Sequence, residues 1–195
     1  MTRTDIINFL AKKINANSYL EIGVREPTGN FNHIDCVSKV AVDPNPLDPV
    51  VLPITSDEFF STNTSKFDII FIDGLHHDDQ VLKDIENSLN HLSENGTIVC
   101  HACLPTTELM QARDDHGGEW TGDVWKAIAE LRVERIDLDI KVVNTDYGCG
   151  IIRRGTNIPY ETTANYKSYY HYSTNKWNML NVISPEQFIQ WINIA

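Results

Sequence analysis

The chain has 195 residues, enough for one domain at about 100–200 residues each. Acidic side chains outnumber basic ones by 27 to 16, a formal net charge of −11, which argues against a nucleic-acid backbone or an anionic membrane surface as the main partner, since both demand positive charge. No apolar run approaches the about 18 residues of a membrane span, and no apolar leader follows Met1, so a cytoplasmic protein without a membrane span is expected.

The apolar residues Ile6, Ile7, Leu10 and Ile14 recur at helical spacing and predict a first helix over about residues 5–15. A short strand follows at Ser18–Gly23, and Pro27 and Gly29 break any regular continuation. Lys39–Asp43 is a second strand, closed by Pro44, Pro46 and Pro49, with a weaker third at Val50–Ile54. Phe67–Asp73 is the strongest strand, apolar on both faces as in a covered parallel sheet. Val81, Leu82, Ile85, Leu89 and Leu92 predict a helix ended by Asn95-Gly96, and Thr97–His101 the next strand. After a loop over 104–120, Asp123 is expected to cap a helix carrying Trp125, Ile128 and Leu131.

Ile140–Val143 and Cys149–Ile152, joined by a short link, predict an antiparallel pair. The segment from Gly155 to Lys176 has no readable period, and Ser184-Pro185-Glu186-Gln187 opens a final helix. Strands alternating with helices imply an open α/β sheet with helices on both faces. We expect one domain over 1–195, its core about 5–155, with an aromatic segment and helix at 156–195. The four cysteines, Cys36, Cys100, Cys103 and Cys149, are expected as reduced thiols, because one Cys-x-x-Cys pair without a second makes a poor zinc site.

In such sheets ligands bind beyond the carboxyl ends of the strands. The residues there are Glu21 to Gly23, Asp43, Thr55 to Asp57, Asp73 to His77 and His101 to Cys103. They suit a nucleoside. Gly23 admits close backbone approach. Asp43, 20 residues on, can accept both ribose hydroxyls, and Asp57 an adenine amino group. The loop Gly23-Val24-Arg25-Glu26-Pro27-Thr28-Gly29 is not Gly-x-Gly-x-x-Gly, so a pyrophosphate, and with it a nicotinamide enzyme, is disfavoured. A ligand with one carboxylate, paired to Arg25, fits better. S-adenosylmethionine has ribose, adenine, a carboxylate and no phosphate, and its sulfonium suits an acidic site.

The segments Tyr19 to Arg25, Val42-Asp43-Pro44, Thr55 to Phe60, Phe67 to His77 and Gly122 to Lys126 resemble the class I S-adenosylmethionine-dependent methyltransferases, most closely the group called methyltransferase family 24. The resemblance implies a Rossmann-like, seven-stranded, mostly parallel sheet with an antiparallel last strand. It implies S-adenosylmethionine as cofactor and S-adenosylhomocysteine as product. We assign the cofactor site to Glu21, Gly23, Arg25, Asp43, Ser56, Asp57, Asp73, Gly74 and His76. Related O-methyltransferases hold a divalent metal such as magnesium on residues that map to Asp73, His101 and Ala102. Alanine offers no ligand, so a metal would rest on Asp73, His101 and waters.

Methyl transfer is an in-line displacement in which positioning does much of the work. A sugar hydroxyl must lose its proton as the new bond forms, and histidine is suited to that near neutral pH. His76 is the expected base, with Asp73 orienting it and His101 as the second candidate. The plainer readings are that His76 and His77 begin a helix, that Asp43 and Asp73 shape turns, that His101 ends a strand, and that Trp120 and Trp125 are packing residues. The expected reaction is O-methylation of a sugar, glycan or nucleotide-sugar, the acceptor resting on the resemblance alone. The rivals are a non-catalytic cofactor-binding or partner subunit and a metallohydrolase using Asp73, His76, His77 and His101, which lack the i, i+4 histidines of the familiar zinc helix. The aromatic run Tyr166 to Tyr172 could serve as acceptor wall, lid or contact in a homo-oligomer.

Overall fold

The computed structural model describes residues 1–194. In chain order they form α1 (Arg3–Ile14), β1 (Ser18–Ile22), β2 (Ser38–Val42), α2 (Ser56–Thr62), β3 (Phe67–Ile72), α3 (Asp78–His91) and β4 (Leu92–Cys100). Then come α4 (Trp125–Glu134), β5 (Leu138–Val143), β6 (Cys149–Arg154), α5 (Tyr169–Met179), β7 (Val182–Ile183) and α6 (Pro185–Ile194). The strands make one seven-stranded sheet in the order β2-β1-β3-β4-β6-β5-β7. Every neighbouring pair is parallel except the two that β6 makes, with β4 and with β5.

Alternation along the strands divides the core between two faces. On β3, Phe67, Ile70 and Ile72 face α2, α3, α4 and α5, where Phe59, Ile85, Trp125 and Tyr172 are buried. Ile69 and Phe71 face α1 and α6, packed with Ile6, Leu10, Phe188 and Ile192. Truncating a fully buried aromatic here, such as Phe71, is expected to cost about 3–5 kcal/mol. The capping boxes Thr2/Asp5 on α1 and Thr55/Glu58 on α2 set where those helices begin. The Ser184 cap expected for α6 is also formed, by reciprocal bonds with Gln187.

Three local expectations are corrected. The third strand at Val50–Ile54 shrinks to a single bridge, Val42 to Leu52, because Pro49 and Pro53 remove the amide donors a longer ladder needs. Asn95-Gly96 does not end α3. The helix stops at His91, and residues 93–96 form an irregularity in β4 between the Phe67–Leu92 and Ile69–Thr97 pairs. Asp123 does not cap α4 with its side chain. Its Oδ1 accepts the Asp78 amide at 2.8 Å, at the first residue of α3. The two-residue β7, between the unassigned segment and the final helix, is not anticipated from sequence, and pairs parallel to β5 at one edge of the sheet. All four cysteines are free thiols, and among the described residues no helix is long and apolar enough to cross a membrane.

Candidate active site

The chain leaves β1 toward β2 on one side, then crosses to β3 on the other. The loops after β1 and β3 therefore diverge and leave a crevice between them, the usual ligand position in a doubly wound sheet. Gly23 follows β1 with φ +90°, and a Cβ there would lie 2.2 Å from the Asp73 carbonyl oxygen. The glycine is thus required first by the loop after β3, which it lets close in. Asp73 extends the ladder by donating its amide to Ile22 O at 2.9 Å, and His101 does the same to Ile72 O at 3.0 Å.

A cleft of about 600 Å³ opens beside these loops, within the about 300–1,000 Å³ of small-molecule sites. Gly23, Arg25, Asp43, Ser56 and Asp57 line it, with Asp73 and Gly74 at its end. A second cavity of about 480 Å³ holds Arg3, Glu21, Asn30 and Asp146 and shares Gly23, Arg25 and Asp73 with the first. Eight of the nine residues assigned to the cofactor from sequence therefore line one cavity or the other. The ninth, His76, sits behind Asp73 and stacks on Trp120, whose ring is 5.0 Å away and also faces the cleft. Asp43 Oδ1 accepts the Asn45 amide at 2.7 Å, so Asp43 shapes its turn as well as lining the cleft. Asp57 is paired with Lys83.

Asp73 is the hub. Its Oδ1 lies 3.0 Å from His76 Nε2 and 3.0 Å from His101 Nδ1, and its Oδ2 accepts from Arg3 Nη1 at 2.8 Å. Burial opposes its charge, but His101 and His76 outweigh that and hold the carboxyl well below the usual range. Burial likewise opposes a charged His101, yet Asp73 and Asp146 prevail and push its pKa up to about 9. Both His101 nitrogens face oxygen: Nε2 donates to the Asp146 carbonyl at 2.8 Å. His101 is 5% exposed and lines neither cavity. That geometry sets His101 against Asp73 and Asp146, and His76 likewise lines neither cavity.

Glu21, 4% exposed, accepts from Tyr19 Oη and from Asn30 Nδ2 at 3.0 Å, and burial pushes its carboxyl up to about 7. His76 is held from behind by Gly122. With φ +57°, that residue packs so tightly that a Cβ would lie 2.0 Å from His76 O. His76 Nδ1 is buried and has no hydrogen-bond partner.

Sequence reasoning missed Arg3, Asp146 and Asp84, and set Trp120 down as more often packing. Asp84 is 2% exposed on the apolar face of α3, lines the cleft, and is pushed up to about 6 by burial. An acid on the same helical face as Val81, Ile85 and Ser88 was the available signal. Arg3 occupies the first turn of α1, where the helix dipole disfavours a cation, which points to a partner elsewhere in the fold. Asp146 and Tyr147, both at positive φ, form the type I′ turn between β5 and β6, closed by Gly148 N to Thr145 O at 2.8 Å.

Asp73, His76 and His101 present metal-ligand atoms within 4.8 Å of one another. Arg3 already lies against two of them, and Ala102, at φ 68°, has no ligand to add. The donor set does not fit the oxygen-rich shell that magnesium needs.

Residues 28–103 match the protein family described as "Methyltransferase domain". No curated protein matches the sequence. Solved structures share the fold at low identity. The methyltransferase PaMTH1 of Podospora anserina, bound to S-adenosylhomocysteine, is 18% identical, covers 78% of each chain and superposes with a TM-score of 0.57. An O-methyltransferase of Bacillus cereus, also in complex with S-adenosylhomocysteine, is 13% identical over 80% of this chain and 82% of its own, TM-score 0.55. TomG of Streptomyces achromogenes, an O-methyltransferase involved in tomaymycin synthesis and bound to S-adenosylmethionine, is 12% identical over 78% and 79%, TM-score 0.55. The fold is that of the class I S-adenosylmethionine-dependent methyltransferases.

Proposed function

We propose, from the methyltransferase-domain match and the class I fold, that this protein is an S-adenosylmethionine-dependent O-methyltransferase acting on a hydroxyl of a small sugar-type acceptor. The observation that carries the reading is the meeting of two cavities at Gly23, Arg25 and Asp73, with His76 bonded to that same Asp73. S-adenosylmethionine, when bound, supplies a methyl group on a cationic sulfur. The residues fit it. Asp43 and Asp57 line the larger cleft as acceptors for ribose and adenine, and Glu21 and Arg25 line the smaller cavity as partners for an ammonium and a carboxylate.

His76 is the proton acceptor in this reading. In the tautomer this reading uses, Nε2–H donates a hydrogen bond to Asp73 Oδ1, which leaves the lone pair on Nδ1. Asp73 stays ionised and stabilises the imidazolium that forms when Nδ1 takes the hydroxyl proton. Because Nδ1 is buried, an acceptor reaches it only when the segment carrying Trp120 shifts. Once the acceptor is in place, the indole offers a face on which a sugar ring can stack. The sugar class rests on the sequence resemblance and on Trp120.

The test combines calorimetry with S-adenosylhomocysteine and transfer of a labelled methyl group from S-adenosylmethionine to sugars, nucleotide-sugars and phenols. Binding with transfer to a sugar hydroxyl supports the reading. Transfer to phenols alone changes the acceptor class. Binding with no transfer to any acceptor favours the non-catalytic subunit, and no binding sinks the whole reading.

A further inference from the structure

Arg3 puts a side-chain cation where a metal ion would meet Asp73. Its Nη1 lies 2.8 Å from Asp73 Oδ2 and 3.1 Å from His101 Nδ1. The rest of the guanidinium is fixed. Nε and Nη2 form a two-pronged pair with Asp146, 3.0 Å on each side, and the Arg3 amide donates to Asp146 Oδ2 at 2.8 Å. Asp146 stands in a tight turn, and its carbonyl is the acceptor for His101 Nε2 at 2.8 Å. The guanidinium therefore cannot swing clear without breaking its two side-chain bonds to Asp146.

A magnesium ion needs near-octahedral oxygen ligands at about 2.0–2.1 Å. Here one Asp73 oxygen is shared by two histidines and the other is held by Arg3, and Ala102 contributes none. A divalent ion close enough to bind Asp73 would also stand beside a fixed positive charge in a partly dehydrated cluster, where like charges repel strongly.

We propose that this site works without a divalent metal and that Arg3 is the built-in cation that takes the metal's place against Asp73. Arg3 is a positioning residue: it occupies Oδ2 and so reserves Oδ1 for orienting His76. The claim concerns cation binding and holds whichever acceptor the protein uses.

The experiment uses the full-length protein stripped with EDTA and titrated with MnCl2, following free Mn2+ by electron paramagnetic resonance and unfolding by calorimetry. The wild type is expected to take up no stoichiometric Mn2+ and to keep its melting temperature. Arg3→Met frees Asp73 and Asp146, and is expected to bind Mn2+ about tenfold or more tightly than the wild type and to be stabilised by it. Arg3→Lys keeps one charge without the fork, and is expected to melt lower yet still bind no Mn2+. One equivalent of Mn2+ on the wild type, abolished by Asp73→Asn, overturns the proposal. So does an Arg3→Met protein that folds and gains no affinity. If Arg3→Met does not fold, the wild type and Arg3→Lys decide, since Mn2+ uptake by Arg3→Lys would show that its charge does not bar the ion. S-adenosylhomocysteine affinity measured on the same samples reports separately on the methyltransferase reading.

Discussion

The carbonyl oxygen of Asp73 lies where only a glycine at position 23 leaves room for it: a Cβ there would stand 2.2 Å away. Gly23→Ala is therefore expected to lose about 1–2 kcal/mol from the left-handed backbone alone, with more from pushing the Asp73 loop away. Melting temperature and S-adenosylhomocysteine affinity should fall together. A variant that melts and binds like the wild type would show that this loop contact is not tight.

Asp43 shapes its turn and lines the cleft, and its proposed role toward the cofactor can be separated from the first. Asp43→Asn keeps an acceptor for the Asn45 amide but loses the charge. It is expected to melt near the wild type while cofactor affinity drops by about 1.5–3 kcal/mol, the range for hydrogen bonds to a charged group. Calorimetry with S-adenosylhomocysteine reads the drop, and unchanged affinity removes Asp43 from the cofactor site.

His76→Ala is expected to lower kcat by about 10²–10⁴, the usual contribution of a general base, while leaving cofactor affinity nearly intact. Single-turnover methyl transfer beside calorimetry makes the distinction. Equal loss of both would make His76 a structural support for Asp73.

Stability should fall on the alkaline side. Folding raises the His101 pKa from 6.5 to about 9. The stabilisation is complete below about 6.5 and is lost as the pH climbs through about 9. At 1.36 kcal/mol per unit, this is about 3–4 kcal/mol at most. His101→Gln should flatten the denaturation midpoint across that window. A wild-type profile already flat there would contradict a charged His101.

Glu21 makes the opposite demand. Its carboxyl is pushed up to about 7 by burial, whereas an ammonium in the neighbouring cavity favours the charged form. Cofactor binding at pH 6.5 should release a proton, seen as a dependence of calorimetric heat on the buffer's ionisation enthalpy. Glu21→Gln should abolish that dependence.

Much of this was legible in the chain. Phe67 to Ile72 reads as a buried parallel strand because both faces are apolar. The acids at the ends of β2 and β3 could be placed because strand ends fall at one rim. The β5–β6 pair followed from its short link. What stayed hidden depends on long-range pairing. Arg3 meets Asp73 and Asp146 across 70 and 143 residues, and no local period records such a contact. β7 is too short to show alternation, and the apolar run at Val50–Ile54 makes only one bridge because Pro53 within it and Pro49 before it lack amides.

The Arg3 clamp also bears on the order in which the molecule matures. Arg3 leaves the ribosome early and Asp146 far later, so the cluster around Asp73 cannot be completed until the β5–β6 turn has been synthesised and docked. Closing so long a loop is entropically costly and slow. A nascent or partly opened chain lacks the Asp146 contacts to Arg3 and His101, and the cluster around Asp73 is complete only once the last third of the polypeptide has joined the first turn of α1.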